Sequence, residues 1–116
     1  MKQPFSINTK LEIDKNGVLF LNEKRIRLLK LIGDLGSINA ATKEMKMSYQ
    51  QAWSFIKEMN EMSPLPLVIR KRGGSNGGGA YLTKSGENAL AVYKQIAASQ
   101  EALNKQIVEH LGCHFF

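Results

Sequence analysis

The chain has 116 residues, of which 43% are hydrophobic, and its 16 Lys and Arg against 10 Asp and Glu give a net charge of +6. This length and composition predict a single globular domain over residues 1–116 and exclude a disordered chain. We find no apolar run long enough for a signal peptide or a membrane span, and the single Cys113 excludes an intrachain disulfide. We therefore expect a cytoplasmic protein with no membrane partner, whose basic charge suits nucleic acid or simply a solvated surface.

The first predicted element is a β-hairpin. Ile7, Thr9, Leu11 and Ile13 alternate as in a strand, residues 14–17 (DKNG) have the chemistry of a turn, and residues 18–21 (VLFL) form the returning strand.

Three helices follow, because apolar residues then recur at helical spacing over residues 23–35, 38–45 and 49–62. Each is preceded by a residue that can cap a helix N-terminus: Asn22, Ser37 and Ser48. In the first helix the expected core stripe leaves Arg25 outside and consists of Ile26, Leu29, Ile32 and Leu35. These helices form a predicted helical core over residues 22–62, with a short turn between the second and the third.

A second hairpin and a long helix complete the order of elements. Residues 67–70 and 80–82 read as strands joined by a glycine-rich loop, and together they make a predicted wing over residues 67–82. Thr83 is the expected cap of a helix over residues 84–111, which Gly112 would end. Two helices joined by a short turn and followed by a hairpin predict a winged helix-turn-helix, an α+β fold that is mostly helical.

The loop sequence RKRGGSNGGGA, residues 70–80, has two interpretations. A phosphate-binding loop of a nucleotide-dependent enzyme needs a Lys followed by Ser or Thr at the start of a helix, but here Ala80-Tyr81-Leu82 follows the glycines. We therefore predict that the chain is not an enzyme and needs no cofactor. In the wing interpretation the loop contacts the phosphate backbone of DNA, through Arg70, Lys71 and Arg72 and the small residues after them.

The third helix is the predicted reader of bases. Its core side holds Ala52, Ile56 and Met59, with Trp53 beside them as a packing residue. Its outward side is rich in amides and hydroxyls, which can contact base edges in the major groove, and Lys46 and Lys57 can hold phosphates. The DNA-contacting residues predicted from this pattern are Lys46, Gln50, Gln51, Ser54, Lys57, Arg70 and Arg72, with Gly73, Gly74 and Gly77 in the loop.

The last helix is too long to be covered by a domain of this size. Its near-heptad apolar stripe predicts a second copy of the chain as partner, although its first half could also pack on the domain and its second half fray. The predicted dimer residues are Leu90, Tyr93, Ile96, Ala97, Leu103, Ile107 and Leu111. We expect no metal at His110, Cys113 and His114, because no further ligand cluster accompanies them.

Residues 35–62 (LGSINAATKEMKMSYQQAWSFIKEMNEM) and 72–90 (RGGSNGGGAYLTKSGENAL) resemble the N-terminal domain of the ModE family of molybdate-responsive transcription regulators. The pieces that carry the resemblance are G-S-I, S-Y-x-x-A-W, E-M-N and L-T-x-x-G. LysR-type regulators share a looser form of these patterns. The resemblance implies a winged-helix homodimer on a palindromic operator that controls molybdenum uptake or use. It also assigns DNA contact to Ser48, Tyr49, Gln50 and Ser54, and to the wing from Arg72 to Gly79, including Ser75 and Asn76.

Alternatives stay open at this point. One is a LysR-like DNA-binding module of another regulon, and another is a winged helix that binds proteins instead of DNA. Fuller members of the ModE family carry C-terminal domains that bind the oxyanion, whereas this sequence ends after the long helix. We therefore expect double-stranded DNA and a second copy as partners, and no tight molybdate binding by this chain alone.

Overall fold

Four helices and two antiparallel hairpins make up residues 4–71 and 79–115, the part of the chain that this computed structural model describes. The hairpins are two separate two-stranded sheets, β1 with β2 and β3 with β4. The elements in chain order are β1 (Ile13–Lys15), β2 (Val18–Leu21), α1 (Glu23–Leu35), α2 (Ile38–Met45), α3 (Tyr49–Met62), β3 (Val68–Arg70), β4 (Ala80–Leu82) and α4 (Lys84–His114). This is the predicted α+β winged helix with an N-terminal hairpin and a long last helix.

Side-chain caps explain why the helices begin where the sequence predicts. A helix leaves its first backbone N–H groups without partners, and an oxygen on the preceding residue can accept one of them. In each helix the cap oxygen accepts the N–H three residues ahead, at 2.9 to 3.2 Å. The caps are Asn22, Ser37, Ser48 and Thr83. At the other end of α1, Gly36 adopts the left-handed conformation with φ of 69°, which glycine tolerates without steric penalty.

The core lies where α1, α2 and α3 meet, closed by the wing strands and the first half of α4. Its buried hydrophobic residues are Leu21, Leu28, Leu29, Ile32, Ile38, Ala41, Ala52, Ile56, Met59, Leu67, Val68, Ala80 and Tyr93. The expected stripe of α1 is partly wrong, since Leu35 is 46% exposed while Leu28 and Arg25 are buried. The buried face of α1 is turned toward these residues because the hairpin and α3 pack on that side.

The N-terminal hairpin is confirmed but shorter than predicted. Asn16 and Gly17 form its turn with φ of 52° and 79°, the positive values that a tight hairpin turn requires. Residues 7–12 are not a strand, although their sequence alternates. They have no strand to pair with and run instead along α4, where the Tyr93 hydroxyl donates to the Leu11 carbonyl at 2.8 Å.

The end of α4 is the clearest difference from the sequence prediction. The helix continues through Gly112 to His114, so Gly112 is not its C-cap, and the Phe115 N–H donates to the Leu111 carbonyl at 3.1 Å. The rings of Phe5 and Phe115 lie 5.8 Å apart, so the N-terminal segment packs against the last turn. This tertiary contact outweighs the modest helix penalty of a single glycine, roughly 1 kcal/mol.

The base of the wing is tied to the junction between α1 and α2. β3 pairs with β4 in the register Val68↔Leu82 to Arg70↔Ala80. The Ala80 N–H donates to the Gly36 carbonyl at 3.1 Å, and Gly79 forms a bridge with Ser37. Residues 72–78, where most of the predicted wing tip falls, lie outside the described residues.

Candidate nucleic-acid interface

The turn between α2 and α3 makes the helix-turn-helix. Lys46 is left-handed at φ 54°, and the Met47 N–H donates to the Thr42 carbonyl at 3.1 Å, which reverses the chain sharply after α2. Ala41 and Ala52 are fully buried in the core, and their small side chains let the two helices approach closely. Lys46 itself, the C-cap of α2 in the turn before α3, is exposed, and its predicted phosphate contact stays a prediction.

The two faces of α3 separate as predicted. Ala52, Ile56 and Met59 have no exposed surface, and Tyr49 and Trp53 are half-buried against the core. The exposed face carries the polar residues predicted to contact DNA: Gln50, Gln51, Ser54 and Lys57. Ser48 is exposed as well, although its oxygen already accepts the Gln51 N–H as the helix cap. The division into core and solvent faces is confirmed, and DNA contact by these residues stays a prediction.

Arg70 and Lys71 lie on different aromatic rings. The Arg70 guanidinium carbon is 4.7 Å from the centroid of the Trp53 ring on α3, and the Lys71 ammonium is 5.7 Å from the Tyr81 ring on β4. Both distances are typical of cation–π contacts. Trp53 is therefore a packing residue, as predicted, but it also holds a cation that the sequence assigned to phosphate. Arg72 and Gly73 to Gly77 lie outside the described residues, so their placement stays a prediction.

Asn60 is a site residue that residue-by-residue reasoning missed. Its Oδ1 accepts the N–H groups of Leu67 and Val68 at 2.8 and 3.3 Å, and its Nδ2 donates to the Val68 carbonyl at 3.1 Å. One side chain thus fixes the start of the wing on α3. The E-M-N piece of the family resemblance contains this asparagine and was the available signal.

Arg25 was also misjudged, because it lies inside the fold with only 6% exposure. Its guanidinium donates to Glu58 at 2.6 Å and to the carbonyls of Leu19 and Phe20 at 3.1 and 3.3 Å. It also lies 4.9 Å from the Phe55 ring. The pair neutralises Glu58, so this carboxylate on the second half of α3 does not add a free negative charge beside the polar face.

The proposed dimer stripe on α4 is only partly available. Ile96, Leu103 and Ile107 are 39%, 48% and 39% exposed, and so is Val92 at 49%, which the sequence reading omitted. Leu90 packs against the core, while Ala97 and Leu111 are half-buried. Tyr93 must be removed from the stripe, because it is 7% exposed and belongs to the core of its own chain. This burial raises the pKa of the Tyr93 phenol, with a smaller contribution from Glu23 and Glu12.

A metal site and a membrane-spanning helix were considered in the described part of the chain. In residues 4–71 and 79–115, no three His, Cys, Asp or Glu side chains are grouped so that they could hold a metal ion. His110, Cys113 and His114 lie in the last turns of α4 and are all exposed. None of the helices in this part of the chain combines the length and the apolar character that crossing a bilayer requires.

Comparison with known proteins finds several regulators of one type, although no protein-family model matches the chain. The transcriptional regulator ModE of Haemophilus influenzae is 46% identical over 91 residues, which are 78% of this chain and 36% of the relative. The molybdenum transport protein ModE of Azotobacter vinelandii is 37% identical over 103 residues, 89% of this chain and 38% of the relative. The DNA-binding transcriptional dual regulator ModE of Escherichia coli is 43% identical over 83 residues, 72% of this chain and 32% of the relative.

The chain thus spans about a third of the length of these relatives. The aligned part contains the helix-turn-helix and the wing described above, since it covers most of the chain in each case. Together with the winged-helix fold, these identities show that the chain matches an N-terminal ModE-type domain.

Proposed function

We propose that the chain is the DNA-binding module of a transcription regulator, with α3 in the major groove and the wing on the neighbouring phosphate backbone. The observation that carries the proposal is the exposed polar face of α3, which consists of Gln50, Gln51, Ser54 and Lys57. The opposite face of the helix is buried in the core. An amide can bond two atoms of adenine, a hydroxyl can pair with several base edges, and a lysine can neutralise a phosphate.

This face also argues against the alternatives. A winged helix that binds proteins should present an apolar or acidic surface here, whereas these four residues are amides, a hydroxyl and a cation. Glu58, the nearest acidic neighbour in sequence to Lys57, is paired with Arg25. Glu61 is exposed on the same side but lies near the end of the helix, where we expect it to point away from the DNA. A LysR-like module would also read DNA, and the sequence of the selected binding site distinguishes it from a ModE-type module.

The test begins with selection of a binding site from a random duplex pool, followed by titration of selected and random duplexes at two salt concentrations. We expect a steep salt dependence, because each cation on a phosphate releases counterions. Gln50→Ala should lower the discrimination between selected and random duplex by about 1–3 kcal/mol, the usual contribution of one good base contact. Glu61→Gln on the same helix is the control and should leave discrimination unchanged. Equal losses on both duplexes would reduce Gln50 to a backbone contact, and a wild-type protein that binds no duplex would refute the function.

Arg72→Ala gives a separate test of the wing. If Arg72 meets a phosphate, this variant should bind selected and random duplexes more weakly to a similar extent, and its salt slope should fall by about one unit. An unchanged slope would contradict the contact.

We further propose that the protein acts as a homodimer in the cytoplasm, joined through the exposed apolar residues of α4. A two-fold dimer presents two copies of α3 and so predicts a palindromic operator, with half-sites about 34 Å apart or a multiple of that distance. Ile96, Leu103 and Ile107 support this arrangement, since all three are exposed on one helix of a single chain.

The names of the relatives suggest which genes are controlled. Since one of them is a molybdenum transport protein, we propose that the target genes serve molybdenum uptake or use. This chain by itself should not bind molybdate tightly. A site for a dianion needs several preorganised donors that converge, whereas Arg70 and Lys71 lie on two different aromatic rings. Calorimetric titration with molybdate tests this, and saturable binding at micromolar concentration would overturn it.

A further inference from the structure

The base of the wing is fixed along the side of α3, with Asn60 at one end and Trp53 at the other. Asn60 bonds the backbone of Leu67, and the Trp53 ring lies against the guanidinium of Arg70. The helix attachments are seven residues apart, or about 10.5 Å at 1.5 Å per residue. The strand attachments are three residues apart, or about 10 Å at roughly 3.3 Å per residue. The two spacings match, so both attachments can form at once between α3 and the chain from Leu67 to Arg70.

Trp53 lies at the edge of the face proposed to read bases. Residues three and four apart on a helix are neighbours, so Trp53 adjoins Gln50 on one side and Lys57 on the other. The side chain is half-buried and its ring supports a cation that is itself exposed. An arginine can stack the flat face of its guanidinium on an aromatic ring while the N–H groups at its edge stay free to bond a phosphate.

We propose that Trp53 is a positioning residue that holds Arg70 for a phosphate contact beside α3, so that this contact is set by the recognition helix and not by the wing tip. The inference rests on the proposed function, because it needs a duplex on this face. The backbone on the other side of Arg70 is also fixed, since Arg70 pairs with the buried Ala80 and the Lys71 N–H donates to the Gly79 carbonyl at 2.8 Å. Ring and strand together leave the guanidinium few alternative positions.

The first test needs no DNA. Trp53 is the only tryptophan of the chain, so tryptophan fluorescence reports the surroundings of this one ring. Arg70→Ala uncovers one side of the ring and should raise the rate at which acrylamide quenches the emission. Lys71→Ala is the matched control: it removes a neighbouring cation that lies on Tyr81, and quenching should stay at the wild-type rate. Equal quenching in wild type and Arg70→Ala would overturn the inference.

The second test is a double-mutant cycle measured on duplex affinity. Trp53→Leu should weaken binding roughly two- to five-fold, the equivalent of one exposed cation–π contact, and should change nothing further in an Arg70→Ala background. We expect Arg70→Ala to lower the slope of log affinity against log salt concentration by about one unit, because it removes one phosphate contact. Trp53→Leu should lower this slope toward the same value, although it removes no charge. A structural role alone would leave that slope unchanged. The conservative Trp53→Phe is measured in parallel. If thermal melting shows that the leucine variant does not fold properly, the phenylalanine variant takes its place in the cycle.

The outcomes separate the inference from the function. The positioning role is overturned, while duplex binding stands, if the affinity losses of Trp53→Leu and Arg70→Ala multiply in the double variant. It is also overturned if both Trp53 variants keep the wild-type salt dependence of duplex affinity. A wild-type protein that binds no duplex overturns both, whatever the quenching shows.

Discussion

Gly86 lies at a close approach between α4 and the base of the wing, and replacing it with alanine should destabilise the fold. A Cβ built on Gly86 would clash with the carbonyl oxygen of Leu67 and lie 3.2 Å from its carbonyl carbon. Both atoms belong to the backbone of the residue just before β3, so no side-chain rotation can relieve the overlap. The start of α4 would have to move away from the wing.

The size of the effect follows from opposing contributions. Overpacking of this kind costs about 1–3 kcal/mol. Thr83 is bonded to the chain before β3, since its N–H donates to the Leu67 carbonyl at 3.0 Å and its hydroxyl to the Pro66 carbonyl at 2.6 Å. Moving α4 would stretch these hydrogen bonds, a further loss of about 1 kcal/mol. Alanine returns about 1 kcal/mol of helix propensity. We therefore expect Gly86→Ala to lower the free energy of unfolding by about 1–3 kcal/mol, or roughly 4–12 °C in melting temperature.

Urea and thermal unfolding followed by circular dichroism measure this change, at one fixed protein concentration because a dimer would make stability depend on it. Gly33→Ala is the matched control. Gly33 is also helical, but its added Cβ would meet only the flexible end of Leu82, at 3.0 Å. That contact and the gain in propensity should nearly cancel, within about 1 kcal/mol. If Gly86→Ala is as stable as Gly33→Ala, the close approach does not exist in solution and the reasoning fails.

Three further predictions concern the core and the last helix. Glu58→Gln should lower the free energy of unfolding by about 1–2 kcal/mol in urea, less than for a fully buried pair because the Glu58 side chain is 52% exposed, while Glu61→Gln should change it by less than about 0.5 kcal/mol. The pKa of Tyr93 is raised in the folded state, so the stability that its protonated phenol contributes is complete below pH 10 and is lost as the pH rises through the folded pKa. The melting temperature should therefore decline at alkaline pH, and Tyr93→Phe should make that decline shallower; an unchanged decline would contradict the prediction. Leu103→Asp combined with Ile107→Asp should give a monomer in sedimentation and a weaker complex with a palindromic duplex, whereas a wild-type protein that is monomeric at micromolar concentration would refute the dimer.

Much of the architecture could be predicted because its signals are local. A cap acts on an N–H three residues away, so Asn22, Ser37, Ser48 and Thr83 mark the starts of helices in the sequence as they do in the structure. The hairpin turn is equally local, since Asn16 and Gly17 supply the positive φ values themselves. The outward face of α3 followed from helical periodicity alone.

The failures concern contacts between distant residues. Arg25 reads as a surface residue because it is charged, yet its partners are hairpin carbonyls and Glu58, which is 33 residues away. Alternation over residues 7–13 predicts a strand only if a partner strand exists, and here the partner is a helix. The sequence assigned Arg70 to a phosphate contact but could not show that the ring of Trp53, 17 residues earlier on α3, lies against it.

The attachment of the N-terminal segment to α4 predicts an order of events in folding. Its bonds join Tyr93 to Leu11 and Asn104 to Thr9, which are 82 and 95 positions apart in the chain. We expect contacts of such long range to form late, because closing so long a loop costs conformational entropy that earlier contacts within the loop reduce. Most of the segment is also exposed, so it can detach by local opening while the core stays intact. Amide exchange in the second half of α4 should therefore follow the detachment of this segment, with a lower free energy than exchange at Leu28 or Ile56.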